Sequence, residues 1–328
     1  MAKERSAIAF IGLGVMGYPM AINLRRKLDP NVTLLISDIS PAAVTRFQDE
    51  ASEYGPVEVV QNGFEAAQDA DMIITMLPNA SAVEGVYLDP KTGILAGMES
   101  RDTKAGTASV VLMECGTIES ATIQKVAHVT EQLQKQLGQL SLDFVDAPVS
   151  GGPMGARAAS LTFMVGATAA GFETVAPVLA HMGDRAGIFH CGQVTAGTAF
   201  KVINNYLSAI TSLAASEALN IGAKMGLDLK MLTDVINVSG GQCWVTSKSN
   251  PVPGIHPSAP ASRGYEDGFR IELCRKVLAM GTGLAQAVGA RTILDKPTLA
   301  AFDEAASDPR YKGKDARVVY KWLNESPQ

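Results

Sequence analysis

The stretch Ala7-Ile8-Ala9-Phe10-Ile11-Gly12-Leu13-Gly14-Val15-Met16-Gly17 decides the fold. Its five leading apolar residues read as a buried strand, because a strand covered on both faces needs no polar alternation. The run breaks into G-x-G-x-x-G, and Met20-Ala21-Ile22-Asn23-Leu24 behind it reads as a helix. Strand, glycines and helix in this order form a dinucleotide-binding fingerprint. Gly12 would allow the tight turn, Gly14 would let a pyrophosphate approach the backbone, and Gly17 would let the helix pack on the strand. The phosphates would then meet the loop Gly12-Leu13-Gly14-Val15-Met16-Gly17 at a helix N-terminus, where free N–H groups and the helix dipole favour anions.

A second strand, Val32-Thr33-Leu34-Leu35-Ile36-Ser37, is followed by Asp38. An acid about 20 residues past the last fingerprint glycine is placed to bind the adenosine ribose hydroxyls. It would repel the 2′-phosphate of NADP, so NAD is expected. The alternative for Asp38 is the N-cap of a helix entered through Ser40-Pro41.

Further α/β units follow. Val57 to Val60 reads as a third strand and Asp71 to Leu77 as a fourth, ending at Pro78-Asn79. Leu77, Pro78 and Asn79 therefore stand at a strand's carboxyl end, where open α/β sheets bind ligands. Ser109 to Glu114 is a fifth strand. Thr117 beyond it would either face the nicotinamide or cap a Gln- and Lys-rich helix over residues 119–138. The sixth, Leu142 to Ala147, runs into Pro148-Val149-Ser150-Gly151-Gly152-Pro153. A serine and two glycines after a strand expose backbone N–H groups, a nest suited to a carboxylate or phosphate. Leu161 to Gly166 and Gly187 to Gly192 bring the expected sheet to about eight strands, more than the six of the simplest dinucleotide domain.

After Gly192 strand signals fade. Gly197 to about Gly222 reads as one long helix, with Phe200, Ile203, Leu207, Ile210, Leu213 and Ala214 at helical spacing. Val202, Tyr206, Ala209 and Ala218 spread apolar surface to its other faces, the pattern of a helix buried all round. Lys201 and Asn205 share one face, one turn apart. In a buried helix they need partners or a function; otherwise Lys201 snorkels to the surface and Asn205 makes a helix contact.

The chain has 328 residues, 47% hydrophobic and 19% charged, with a net charge of −5. Two domains and substantial cores fit that length and composition, and a disordered chain does not. Negative charge disfavours nucleic-acid binding. No apolar run approaches the ~18 residues of a membrane helix. Cys115, Cys191, Cys243 and Cys274 form no C-x-x-C pair, and the four histidines are scattered, so no metal site is expected. The N-terminal M-A-K-E-R-S shows no signal or transit pattern and the C-terminal N-E-S-P-Q no sorting signal. A cytoplasmic location is expected, or a mitochondrial one if a transit segment has been removed.

Four stretches together resemble the β-hydroxyacid dehydrogenase family. They are Phe10 to Ala21, Asp146-Ala147-Pro148-Val149-Ser150-Gly151-Gly152, Gly197 to Asn205, and a C-terminal block containing Lys276. Cys243-Trp244 and Asn250 to Gly254 look like the family's hydroxyisobutyrate branch. The resemblance implies an α/β Rossmann-type N-terminal domain, here residues 1–192. It implies a long interdomain helix and an all-α C-terminal domain, here residues 193–328, in homodimers or homotetramers. It implies NAD-dependent oxidation of a small β-hydroxyacid, foremost 3-hydroxyisobutyrate to methylmalonate semialdehyde. Alternatives are reduction of a semialdehyde on the same scaffold, and a dinucleotide-binding protein without catalysis.

Position by position, the resemblance makes Lys201 the catalytic lysine and Asn205 its helper. Ser150, Gly151 and Gly152 would bind the substrate carboxylate, with Phe269 near the substrate. Thr117 and Lys276 would lie beside the nicotinamide. The chain departs from the family pattern at Glu114, Cys115 and Gly116, which replace Asp, a small polar residue and Ser. Thr195 replaces a glycine, and Val277 replaces an acid after Lys276.

Overall fold

The computed structural model describes residues 6–101, 109–137 and 140–325. Residues 1–5 and 326–328, read above for targeting signals, and residue 138, the expected end of the Gln/Lys-rich helix, lie outside the described residues. The chain divides into two compact units, Met1–Lys201 and Val202–Gln328.

In the first unit the described strands are β1 (Ala7–Ile11), β2 (Thr33–Ser37), β3 (Val57–Val59), β4 (Met72–Thr75), β5 (Ser109–Glu114), β6 (Ser141–Asp146), β7 (Val149–Ser150), β8 (Leu161–Gly166) and β9 (Gly183–Gly192). They form one sheet in the order β3-β2-β1-β4-β5-β6-β8-β7, with β9 beside β8. The pairings among β1 to β6 are all parallel. The order reverses between β1 and β4, which opens a crevice outside the strands' carboxyl ends. The ninth strand, beyond the eight expected, is β7. Its two residues pair antiparallel with β8, Val149 to Phe163 and Ser150 to Thr162. Two residues between Pro148 and Gly151 carry no period-two pattern, so they read as loop.

Helices α1 (Gly17–Lys27), α2 (Pro41–Ala51), α3 (Gly63–Asp69), α4 (Ala80–Leu88), α5 (Ile94–Ser100), α6 (Ser120–Leu137), α7 (Gly152–Arg157) and α8 (Ala169–Leu179) belong to the first unit. Successive strand side chains point to opposite faces, and the two cores follow that alternation. Ile8, Phe10, Leu34, Ile36, Ile74 and Met113 pack with Met20 and Leu24 of α1. Ala9, Ile11, Leu35, Ile73 and Leu112 pack with helices of the other face, including Tyr87 of α4 and Ile123 of α6. Phe10 is fully buried, which contributes on the order of 1.5–3 kcal/mol. Ser40 and Asn79 start α2 and α4 by accepting hydrogen bonds from N–H groups of the first turn.

The long helix α9 (Ala196–Lys224) leads from the first unit into the second. Its burial is one-sided, contrary to the all-round pattern expected. Thr198, Lys201, Val202, Ala209 and Leu213 are buried. Phe200, Ile203 and Leu207 are 56%, 59% and 59% exposed. Periodicity reports how much apolar surface a helix offers; it does not report whether one chain has enough neighbours to cover it. The rest of the second unit is helical: α10 (Leu229–Asn237), α11 (Trp244–Lys248), α12 (Ile271–Ala287), α13 (Asp295–Ser307) and α14 (Val319–Glu325). Ala209 and Leu213 share its core with Ile271, Leu278, Phe302 and Val319.

The start of α9 is packed backbone against backbone. A methyl group at Gly197 would lie 2.2 Å from the Met164 carbonyl oxygen and 2.9 Å from the Gly166 nitrogen. Overpacking of this kind costs about 1–3 kcal/mol. Gly197→Ala should therefore lower the thermal unfolding midpoint by several degrees; an unchanged midpoint would refute this packing.

Candidate active site

The carboxyl edge of the parallel sheet collects the residues with the strongest chemical signatures. After β1, Gly12 adopts a φ of +101°, and a Cβ there would sit 2.4 Å from the Met76 carbonyl oxygen. Gly17 carries no Cβ because one would meet the Gly12 carbonyl oxygen at 1.9 Å. At Gly14, by contrast, nothing lies within 4 Å. The loop is thus crowded behind and open in front, the shape that admits a pyrophosphate to the backbone. Val15 is 71% exposed beside it.

Asp38, just past β2, turns one carboxylate oxygen to this loop. Oδ2 accepts from the Leu13 N–H at 2.6 Å, and Oδ1 accepts from the Ser40 N–H at 2.7 Å. Ser40, not Asp38, caps α2. The acid is therefore free of the capping role and stands against the fingerprint. These residues fit a dinucleotide.

After β4, Leu77 is half-buried and Pro78 and Asn79 are exposed. The Asn79 side chain accepts from Ala82 N–H at 2.9 Å and starts α4. After β5, Thr117 is half-buried. Since α6 begins at Ser120, the residue in the cap position is Glu119, whose carbonyl accepts from Thr122 and Ile123. Thr117 does not occupy that position.

After β6 the chain makes its tightest arrangement. Asp146 is fully buried. Oδ1 accepts from the Thr195 N–H and Oδ2 from the Thr198 N–H, both at 2.6 Å. A carboxylate thus closes the N-terminus of α9, satisfying donors that have no partner within the helix and meeting the positive end of its dipole. Burial pushes this carboxyl above its ordinary range, against the pull of the Thr198 and Thr195 hydrogen bonds. A few residues on, β7 delivers Ser150 half-buried, with Gly151 and Gly152 exposed at φ of +129° and +62°.

Lys201 follows Thr198 by three residues on α9 and is 8% exposed. Burial alone pulls its amine down from 10.5 to about 8. No acid offsets that penalty: among the described residues no ion pair or hydrogen bond of the Lys201 side chain is found. The snorkelling alternative does not fit this burial. One turn along the same helix, Asn205 is half-buried, and its Oδ1 accepts from Asn204 Nδ2 at 3.4 Å.

Phe269 and Lys276 lie in the second unit. Phe269 is 38% exposed, and its N–H donates to Asp315 Oδ2 at 2.7 Å. Lys276 is half-buried on α12. Val277, where the family pattern has an acid, is buried with an apolar side chain.

Two positioning acids escaped the sequence reading. Asp146 lay inside a quoted motif without a role, and Asp315 lay in a stretch without periodicity. Both act across long sequence separations, 49 and 52 residues for Asp146 and 46 for Asp315. Thr195 was legible as a departure from glycine; its φ of +82° shows what the glycine would have supplied.

A largely parallel sheet with this fingerprint, this acid and a buried lysine that has no partner among the described residues defines a dinucleotide-dependent dehydrogenase. The family described as the NAD binding domain of 6-phosphogluconate dehydrogenase matches residues 7–197. The family described as the NAD-binding domain of NADP-dependent 3-hydroxyisobutyrate dehydrogenase matches residues 195–323. A probable mitochondrial 3-hydroxyisobutyrate dehydrogenase of Dictyostelium discoideum is 36% identical over 99% of this chain and 92% of its own. The 3-hydroxyisobutyrate dehydrogenase of Pseudomonas aeruginosa is 36% identical over 96% of this chain and 97% of its own. A solved Mycobacterium tuberculosis 3-hydroxyisobutyrate dehydrogenase with L-serine is 33% identical, with a TM-score of 0.81 over 97% of this chain and 99% of that one. The chain belongs to the β-hydroxyacid dehydrogenase family, and its cofactor is NAD.

A β-branched residue at positive φ is strained, by about 1–3 kcal/mol. Thr195→Gly should stabilise the protein by roughly 1 kcal/mol, read in the denaturant midpoint; a loss of stability would mean that Thr195 is not strained.

Proposed function

We propose that this chain oxidises 3-hydroxyisobutyrate to methylmalonate semialdehyde with NAD⁺, and that Lys201 is the general acid/base. The observation that carries the proposal is the Lys201 amine, buried, without a partner among the described residues and pulled down to about 8. NAD⁺ accepts the hydride. The substrate hydroxyl must lose its proton as the hydride leaves, so a base within hydrogen-bond reach is needed. A neutral Lys201 amine would take that proton; in the reverse direction the ammonium would return it and polarise the carbonyl. Asn205 would hold the amine, and the exposed N–H groups around Ser150, Gly151 and Gly152 would seat the substrate carboxylate. Phe269 would flank the substrate, and Lys276 and Thr117 the nicotinamide end of the cofactor.

The loop Gly12 to Gly17 would take the pyrophosphate, with Leu77, Pro78 and Asn79 on the neighbouring strand end. Asp38 would meet the adenosine ribose and disfavour a 2′-phosphate, so NAD is preferred over NADP. Support also comes from the relatives, which carry the name 3-hydroxyisobutyrate dehydrogenase.

Among the described residues no helix is long and apolar enough to cross a membrane. We propose a cytoplasmic location, with the mitochondrion as the alternative, since a relative of this chain is named as mitochondrial. We assign a homodimer or homotetramer, because the exposed stripe Phe200, Ile203 and Leu207 on α9 is apolar surface that a second copy would cover. A monomer mass by light scattering would refute this assembly.

NADH formation from 3-hydroxyisobutyrate tests the function, with NAD⁺ expected to give the higher kcat/KM; a higher value with NADP⁺ would remove the Asp38 argument. Lys201→Ala should keep NADH binding and lose turnover by roughly 10²–10⁴-fold. Turnover retained in that variant would take Lys201 out of the chemistry. The neutral amine grows as pH rises through about 8, so kcat/KM for oxidation should climb through that pH and kcat/KM for reduction should fall. A flat profile in both directions would contradict the assignment.

A further inference from the structure

Glu114 and Gly116, two of the positions where this chain leaves the family pattern, touch each other at the carboxyl edge of the sheet. Glu114 ends β5 and pairs in register with Thr75, which ends β4. Its side chain is fully buried. Oε1 accepts from the Gly116 N–H at 2.6 Å. The Leu77 N–H also donates to the carboxyl group. Oε2 accepts from the Thr75 hydroxyl, whose oxygen lies 2.8 Å from the Tyr87 hydroxyl. One carboxyl group therefore holds a backbone amide from the loop after β4 and another from the loop after β5, and anchors both to α4 through Tyr87.

Gly116 is the other half of this arrangement. A Cβ there would lie 2.6 Å from Glu114 Oε1 and 2.7 Å from the Leu77 carbonyl oxygen. The space a serine would need is taken on one side by the longer acid and on the other by the Leu77 carbonyl, so a serine needs both a shorter acid and a shift of the loop after β4. An aspartate at 114 would be one methylene shorter and would free the acid's side of that space, leaving the Leu77 carbonyl as the remaining contact. A buried acid is costly unless its oxygens are satisfied, and here each oxygen is bonded. Burial also pushes the carboxyl group up to about 8, so at neutral pH little charge is held beneath the loops; in that neutral form Oε2 carries the proton and donates to Thr75, whose own hydroxyl turns to the Met113 carbonyl oxygen. Satisfied buried networks of this kind rigidify what they connect.

We propose that Glu114 and Gly116 form one coupled pair, in which Glu114 is a positioning residue that clamps the loops carrying Leu77 and Thr117 for the dinucleotide and Gly116 gives it room. The pair rests on the dinucleotide reading of this edge. The departures at 114 and 116 are then a single exchange, in which a longer acid is accommodated by a glycine. Glu114 touches neither substrate nor cofactor; it acts through Leu77, Gly116 and Thr117.

The test is a mutant cycle on the full-length chain: wild type, Gly116→Ser, Glu114→Asp and the double variant, with NADH binding by fluorescence and KM and kcat for each substrate. Each single variant should weaken NADH binding about tenfold, and the double variant should bind at least about threefold more tightly than Gly116→Ser alone. The loss should fall on KM for NAD⁺ and leave KM for the hydroxyacid nearly unchanged. Glu114→Gln keeps an oxygen for the two amides, and its NH₂ can donate to Thr75 once the Thr75 hydroxyl turns to the Met113 carbonyl oxygen 3.3 Å away, so it should bind NADH within about threefold of wild type. If Gly116→Ser does not fold alone, recovery of folding in the double variant reads the same coupling. Losses that multiply in the double variant, or a Gly116→Ser variant that binds like wild type, would overturn the pair. A wild type that binds no NADH would remove the dinucleotide reading and the proposal with it.

Discussion

The contact on which the rest depends is the Asp146 carboxylate against the first turn of α9. It joins the end of β6 to the start of a 29-residue helix through two hydrogen bonds of 2.6 Å. Removing an ordinary N-cap side chain costs about 1 kcal/mol; a charge-assisted pair of amide bonds in a buried site is stronger. The surroundings are built to admit nothing else. A Cβ at Gly166 would lie 2.2 Å from Asp146 Oδ1, and Gly197 has no room for one either. Thr195 accepts a left-handed backbone to bring its N–H to the same carboxylate. Helix phase is thereby set before the first full turn is complete, and with it the direction in which Lys201 projects.

Burial then acts on two ionisable groups in opposite senses. It lowers the Lys201 amine to about 8 and raises the Glu114 carboxyl to about 8. Desolvation disfavours whichever form is charged, so bases fall and acids rise. For Lys201 the result is an amine that can be neutral or charged near working pH, as reversible proton transfer requires. For Glu114 the result is a nearly neutral clamp, bonded on both oxygens. The difference between a reactive group and a structural one lies in partners: Glu114 has several and Lys201 has none among the described residues.

Much of this was legible in the sequence, and the exceptions share a cause. Continuous apolar runs such as Ala7–Ile11 and residues 110–113 announce doubly covered parallel strands, and G-x-G-x-x-G announces the turn that follows. Those are local patterns. The role of Asp146 spans about fifty residues of chain, so no window contains both ends of its hydrogen bonds. The strand Val149–Ser150 is too short to show alternation. The exposed face of α9 went unread because Phe200, Ile203 and Leu207 look the same in sequence whether they are covered or bare. Gly116 read as a replaced serine; the structure shows it as space taken by Glu114 and the Leu77 carbonyl.

The central claim is that Lys201 sits in a site that keeps its amine partly neutral near physiological pH. The most direct measurement is an NMR titration of the Lys201 side chain in protein labelled at the lysine ε-carbon, with Lys201→Arg used to assign the resonance. A midpoint near 8 is the predicted result. A midpoint near the ordinary lysine value of 10.5 would mean that the amine is solvated or paired, and would contradict the account.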